Sequence, residues 1–293
     1  MVVPDFTEWN PNLPEQGLRN PPKIGLMATS LEHGTGAPGR ASINEKHLRT
    51  DRWWIQPLIS VVVLVSFIVY ATWRAFENAY YFAEPLISPF YSPCLSANCV
   101  EGASLLGTPV GVWWTLSPAL LILIFPLGFR MTCYYYRKTY YRSFWMSPPG
   151  CAVSEPHKSY SGETKFPLIG QNIHRYFFFA GLVFNVLLTI DAILAFKDAE
   201  GHWGHMSVGT LVLLANATFL WMYSLSCHSC RHAVGGRLKH FSKHPFRYKM
   251  WTGVSRLNAH HAKFAWVSLF GVALADLYVR SVASGAIDNL YFF

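Results

Sequence analysis

Residues 55–73 read IQPLISVVVLVSFIVYATW, and this run fixes the class of fold to which the chain can belong. It contains no charged side chain, and its length is close to the ~20 apolar residues that a helix needs to cross roughly 30 Å of hydrocarbon. The preceding residues 1–51 are polar and contain no apolar segment of the kind found in a cleavable signal peptide. The run is therefore expected to act as its own insertion signal, which predicts an integral membrane protein.

Composition agrees with this prediction. Hydrophobic residues make up 52% of the chain and charged residues 14%, whereas a typical soluble domain is about 25% charged. Four further runs meet or approach the length of a span. The sequence therefore predicts an all-α integral membrane protein, a five-transmembrane-helix bundle within residues 53–285. The predicted spans cover about 55–75, 110–136, 174–197, 207–230 and 262–283.

The distribution of basic residues predicts the orientation. With the N-terminus in the cytoplasm, the inside segments hold 21 of the 24 Lys and Arg residues, and only Arg74, Lys197 and Arg280 lie outside. The positive-inside rule thus predicts a cytoplasmic N-terminus and an outside C-terminus in a bacterial plasma membrane. The net charge of +8 then needs no nucleic acid to explain it. The acid-free segment 228–263 would face anionic lipid headgroups or a partner.

Two long polar segments fall on the predicted cytoplasmic face. Residues 1–52 are rich in Pro, Gly, Asn and charge and cannot bury a core of their own. The loop 136–171 is also long, and such loops are usually functional or docked. We therefore expect residues 1–52 to form a cytoplasmic arm that docks on large hydrophilic subunits.

The predicted topology separates the six cysteines. Cys94 and Cys99 fall in the first outside loop, where an oxidising environment favours a disulfide. The other four lie on the inside together with several histidines, near the cytoplasmic edge of the bundle, where reduced thiols are free to bind metal. These inside candidates are Cys133, Cys151, Cys227, Cys230, His174, His228 and His232.

A set of two thiolates and two imidazoles suits a Rieske-type [2Fe–2S] cluster or zinc. Two imidazoles on facing helices would instead suit a b-type haem. The apolar cores of the five spans, at about 55–73, 110–128, 176–196, 208–225 and 264–278, contain no histidine, so at most one haem is expected. The alternative is that the histidines lie at the interface and the cysteines pack as small apolar residues. We predict that the metal ligands are Cys133, Cys227, His228 and His232. His174 is the leading substitute for one imidazole, and Cys151 or Cys230 for one thiolate.

Two acidic residues fall near the outside ends of predicted spans. Charged residues in spans are candidates for function, so Asp191 and Asp276 are candidates for a proton path. The structural alternative is that Asp276 pairs with Arg280 four residues later and that Asp191 lies at the interface.

Several short motifs together carry a family resemblance. Over roughly residues 50–285 the chain resembles the membrane-anchor subunit, of the cytochrome b type, of actinobacterial succinate dehydrogenase. The motifs are TCYYYR at 132–137, SPPGCAV at 147–153, QNIHRY at 171–176, CHSCRH at 227–232, GGRL at 235–238 and DLYV at 276–279.

The resemblance implies partners and a redox role. The expected partners are a flavoprotein that oxidises succinate, an iron–sulfur subunit, membrane lipid, a small additional membrane subunit and a higher oligomer of the complex. Anchors of the wider family often carry haem b. The resemblance to the actinobacterial branch instead implies a Rieske-like cluster. The substrate would be menaquinone or ubiquinone, bound near the cytoplasmic edge. The candidate quinone-binding residues are Trp53, Trp54, Tyr134, His260 and His261, and the neighbouring Tyr135 and Tyr136 share their position.

An alternative of another class is a non-redox membrane transporter or assembly factor. It explains the spans and the basic loops, but it leaves the clustered cysteines and histidines without a purpose.

Overall fold

The structure, a computed structural model, describes residues 49–153, 156, 168–198 and 200–292. The predicted arm therefore lies almost entirely outside the described residues, as does much of the loop 136–171. The helices are α1 (Ile55–Glu77), α2 (Pro118–Thr132), α3 (Tyr134–Tyr140), α4 (His174–Leu194), α5 (Val208–Leu225), α6 (His228–Gly235), α7 (Pro245–Asn258) and α8 (His261–Ala283). A π-helical turn (Tyr141–Trp145) extends α3, and two 3-10 helices cover Leu168–Ile173 and Phe241–Lys243. The short antiparallel strands β1 (Phe82–Ala83) and β2 (Leu86–Ile87) form a hairpin.

Four helices, α1, α4, α5 and α8, are long and apolar enough to cross a membrane. Helix α2 and the helical segment 134–145 meet the same test only when taken together, with a bend of 74° between them, and they make a fifth span if the bent pair crosses as one unit. The sequence predicted a continuous span over 110–136. The helix begins only at Pro118, whose fixed φ suits the first helical position, and it ends before Cys133, which has extended backbone.

The fourth predicted span is also interrupted. The expected continuous helix over 207–230 ends at Leu225, and α6 begins at His228. At the start of α5, Ser207 and Thr210 form a reciprocal capping box, which satisfies two of the unpaired amide groups of the first turn.

The spans alternate in direction. The C-terminal ends of α2 and α5 lie beside the N-terminal ends of α4 and α8, and we call this end of the bundle the cysteine–histidine end. The opposite end, which contains Cys94 and Cys99, is called the disulfide end. Helix α5 packs between α4 and α8, and α2 packs on α4. Which end faces the cytoplasm stays a prediction from the basic residues.

The connection between α1 and α2 folds back into the bundle at the disulfide end. Every residue of 86–94 is buried, and the ring of Phe90 makes an edge contact with Phe67 of α1. A disulfide joins Cys94 and Cys99, and Cys94 is fully buried. This loop is therefore part of the core.

Two ion pairs, one buried and one half-buried, link α1 to α8 at the same end. Arg74 donates to Asp276 at 2.7 Å, and Arg280 donates to Glu77 at 2.7 Å. The expected pairing of Asp276 with Arg280 is wrong, because Arg280 reaches across to Glu77 and leaves Asp276 to Arg74. Both Arg74 and Asp276 are fully buried, so each charge compensates the other.

The second acidic candidate has a different partner. Asp191 is buried near the end of α4, and it accepts a hydrogen bond from Ser92 of the buried loop. It therefore lies inside the packed disulfide end and not at the interface with water.

Candidate functional site

Two cysteines interrupt two spans in the same manner. Cys133 lies between α2 and α3, and Cys227 lies between α5 and α6. Both have extended backbone, with φ/ψ of −64°/128° and −66°/145°, and both are the N-cap residues of the helices that follow. The two thiols lie at the cysteine–histidine end with 2% and 1% of their residues' surface exposed.

Each thiol faces an imidazole from another span. His174 is the first residue of α4, and its Nε2 lies 3.1 Å from Sγ of Cys227. His261 is the first residue of α8, and its Nε2 lies 3.4 Å from Sγ of Cys133. We call these four residues the quartet.

A hydroxyl fixes the protonation of the first imidazole. Oγ1 of Thr132 donates its hydrogen to the carbonyl of Gly128 at 2.6 Å and lies 3.0 Å from Nδ1 of His174. A hydroxyl has only one hydrogen to donate, so Thr132 accepts from Nδ1–H. In a neutral imidazole the other nitrogen then carries a lone pair, and this is the Nε2 that faces Cys227.

The second imidazole is held in the same way. Oγ of Ser226 donates to the carbonyl of Tyr223 at 2.9 Å and accepts from Nδ1–H of His261 at 2.7 Å. Both quartet imidazoles thus present a bare Nε2 toward a thiol. Metal-binding histidines commonly have this arrangement, with the second nitrogen held by an outer hydrogen bond.

Aromatic rings stack on the quartet imidazoles, which are half-buried. The ring of Phe129 stacks on His174, and the ring of Tyr223 stacks on His261, with centroids 5.1 Å apart in both pairs. Burial, followed by the neighbouring Cys133, raises the pKa of the Cys227 thiol to about 12. A metal ion bound by this thiol would have to displace its proton.

Two thiols and two imidazoles are the donor types that a Rieske-type binuclear iron centre takes from a protein. Within the part of the chain that the structure describes, no group of three or more His, Cys, Asp or Glu side chains surrounds a point where one metal ion could be held. A Rieske-type [2Fe–2S] cluster does not require such a group, because each iron takes only two ligands from the protein. Two thiols and two bare imidazole nitrogens meet that requirement.

The structure places the other predicted ligands elsewhere. His228 and His232 are exposed on α6, and their Nε2 atoms lie 2.9 Å from each other. Among the described residues, neither makes a hydrogen bond or ring contact with a cysteine, because the break at Cys227 starts a new helix. Cys230 is buried among apolar residues, and Cys151 is exposed.

A large apolar cavity lies beside the quartet. It has a volume of about 790 Å³ and is lined by α1, α2, α4, α5 and α8. Phe129 and Tyr223, which stack on the quartet imidazoles, form part of its wall, and Pro89 and Phe90 of the buried loop line it as well. The hydroxyl of Tyr223 is buried and has no hydrogen-bond partner among the described residues.

A polar group lies at the quartet side of this cavity. The guanidinium of Arg130 lies 4.9 Å from the centroid of Tyr223 and donates to the hydroxyl of Tyr136 at 2.6 Å and to Ser268 at 3.2 Å. Arg130 and Tyr136 both line the cavity. An apolar cavity with a few convergent polar groups is the usual form of a small-molecule site.

The five predicted quinone-binding residues do not line this cavity. His261 belongs to the quartet instead, and the others lie at the edge of the bundle. Their role stays a prediction. Trp54, Tyr134 and His260 are exposed, and Trp53 is half-buried.

Sequence reasoning missed the residues that surround the quartet. Thr132 and Ser226 directly precede the two cysteines, and this repeated hydroxyl–cysteine pair was a signal available in the sequence. Arg130 was available as a positive charge just inside the predicted end of a span. Tyr223 carried no signal, because a tyrosine near the end of a span normally lies in the aromatic belt.

The chain matches a family model over residues 55–285, that of the actinobacterial succinate dehydrogenase subunit SdhC. It is also similar to a solved structure, a chain of the Mycobacterium smegmatis Sdh1 complex in the apo form. The two chains are 51% identical and superpose with a TM-score of 0.80, and the match covers 88% of this chain and 97% of the other. No curated protein matches the chain.

Proposed function

Because this chain belongs to the actinobacterial succinate dehydrogenase subunit SdhC family, we propose that it is the quinone-reducing membrane anchor of a succinate dehydrogenase. Succinate chemistry would take place on a flavoprotein subunit, and an iron–sulfur subunit would deliver electrons to the cysteine–histidine end. The similarity to a chain of the Sdh1 complex supports this assembly.

The quartet is the observation that carries the proposal. Cys133 and Cys227 would hold one iron of a Rieske-like [2Fe–2S] cluster, and His174 and His261 the other. When bound, such a cluster is a one-electron carrier whose reduction potential lies above that of an all-cysteine cluster. His174, the substitute named in the sequence analysis, and His261 thus take the places of His228 and His232 in the proposed ligand set.

The residues that contact the quartet would favour metal binding by its imidazoles. Thr132 and Ser226 hold the Nδ1 protons, so that both Nε2 atoms stay free to bind. Phe129 and Tyr223 stack on the imidazoles and lower the local dielectric on that side, which strengthens electrostatic interactions within the site.

The apolar cavity is the proposed quinone site. Its volume and lining suit a menaquinone or ubiquinone with part of its isoprenoid tail. The hydroxyl of Tyr223 has no other partner among the described residues and can donate to a quinone carbonyl, with Arg130 beside it. Because the ring of Tyr223 stacks on His261, a quinone head bound there lies next to the quartet.

The test is spectroscopic and uses the purified full complex. Dithionite-reduced wild-type protein should give a Rieske-type electron-spin signal. His261→Ala should lose this signal and lose quinone reduction, while the soluble subunits still reduce an artificial dye. His260→Ala is the matched control, since this neighbouring histidine is exposed, and it should keep the signal.

Two results would overturn the assignment. Sharp reduced-haem bands without the electron-spin signal would establish the one-haem alternative. If the spectra lack every redox signal beyond those of the soluble subunits, the chain carries no cofactor, as expected of a transporter or assembly factor.

A further inference from the structure

The two histidines that the quartet leaves out form a pair of their own. His228 is the first residue of α6 and His232 follows four positions later, so both side chains share one face of the helix. Their Nε2 atoms lie 2.9 Å apart, and the rings meet at 75° with centroids 4.5 Å apart. Both imidazoles are exposed.

This separation matches two adjacent ligands of one metal ion. Metal–imidazole bonds are about 2.0–2.1 Å long, so two nitrogens at a right angle around an ion lie roughly 2.9 Å apart, and at the tetrahedral angle roughly 3.3 Å apart. The right angle belongs to square-planar and octahedral ions such as Cu²⁺ and Ni²⁺. We propose that His228 and His232 form a chelating site for a divalent transition-metal ion of this type, with water completing the coordination.

The surroundings select the class of ion. The segment 228–263 contains no Asp or Glu, so Ca²⁺ and Mg²⁺ find none of the carboxylate oxygens that they require in it. The guanidinium of Arg231 lies 4.8 Å from the centroid of the Trp251 ring on α7. Ions that prefer imidazole nitrogen are the ones that can bind.

A hydrogen bond between the two rings is the competing explanation. One imidazole would donate to the other, but at an exposed site water competes for both nitrogens, and such a bond contributes little. A metal ion joined to both rings would tie the first two turns of α6 together. Since α6 begins directly after Cys227, the ion would stiffen the segment that leaves the quartet.

The experiment measures nickel in the full complex, purified without a histidine tag. The complex is equilibrated with Ni²⁺ and then passed over a desalting column, and the nickel and iron that it retains are measured. Wild type should retain about one more nickel ion per chain than His232→Ala, because this substitution removes one of the two imidazole ligands. His228→Ala and the double variant should lose the same amount as His232→Ala. His240→Ala, which removes an exposed imidazole of the same segment, should retain as much as wild type.

Each remaining outcome overturns the proposal. If His232→Ala keeps its nickel, or if His240→Ala loses as much, the pair is not the site. If either α6 variant loses iron and the electron-spin signal, these histidines serve the cluster. The proposed function is tested by a different measurement. It fails if the wild-type complex lacks the electron-spin signal, whatever the nickel result.

Discussion

Thr132 and Ser226 hold equivalent positions on two different spans. Each residue directly precedes a quartet cysteine. Each hydroxyl donates to a carbonyl of its own span and accepts Nδ1–H of an imidazole on another span. These contacts also cross between the two spans. His174, which Thr132 holds, faces Cys227. His261, which Ser226 holds, faces Cys133.

We predict that Thr132→Val and Ser226→Ala each lower the amount of bound cluster. Without the hydroxyl, the imidazole is free to turn and to adopt the other tautomer, and loss of such an outer hydrogen bond typically costs about 10- to 100-fold in metal affinity. Iron and acid-labile sulfide per purified chain measure the effect. Thr218→Val and Ser281→Ala are the matched controls, since their exposed hydroxyls donate only to helix carbonyls. Full iron content in both test variants would rule out this role.

We predict that Tyr223→Phe weakens quinone binding without weakening the fold. Its hydroxyl is buried and has no partner among the described residues, so its removal costs the described fold no hydrogen bond. One lost bond to the quinone is worth about 1 kcal/mol, or a roughly fivefold rise in the quinone KM. Tyr140→Phe is the control, because Tyr140 lines the same cavity but already donates to the carbonyl of Met131. An unchanged KM in Tyr223→Phe would remove this residue from the quinone site.

We predict that Arg74→Met strongly destabilises the protein. It leaves the carboxylate of Asp276 buried without its guanidinium partner, and breaking a buried pair from one side costs about 3–5 kcal/mol. The double variant Arg74→Met/Asp276→Leu should recover much of the loss, as thermal unfolding of the purified complex would reveal. Recovered stability without recovered quinone reduction would point to Asp276 in a proton path. Recovery of both would assign the pair to packing.

We predict the orientation of the spans from the basic residues. Reporter fusions at residues 85, 150, 202, 245 and 290 should read outside, inside, outside, inside and outside. The described structure already places 202 and 245 at opposite ends of α5. A reporter at residue 290 that reads inside would contradict the five-span topology.

Hydropathy along the chain was enough to predict the membrane class and the approximate positions of the four long apolar helices. It suffices because a bilayer core demands a continuous apolar helix wherever the chain crosses it. The starts of α1, α4 and α8 agree with the predicted spans within a residue. The order of the spans also sorted the cysteines correctly into two groups, since topology alone separates Cys94 and Cys99 from the others.

The choice of imidazoles that face the thiols, in contrast, depended on helix packing. His228 and His232 lie close to Cys227 in sequence, which made them the natural candidates. Cys227 has extended backbone, however, and a separate helix, α6, begins after it. The two rings therefore contact each other on the exposed surface of α6. His261 comes 34 residues after Cys227 and 128 after Cys133, and it reaches the quartet because α8 packs against α5. Sequence spacing reports neighbours within one helix, whereas a site built from the ends of four helices depends on how those helices pack.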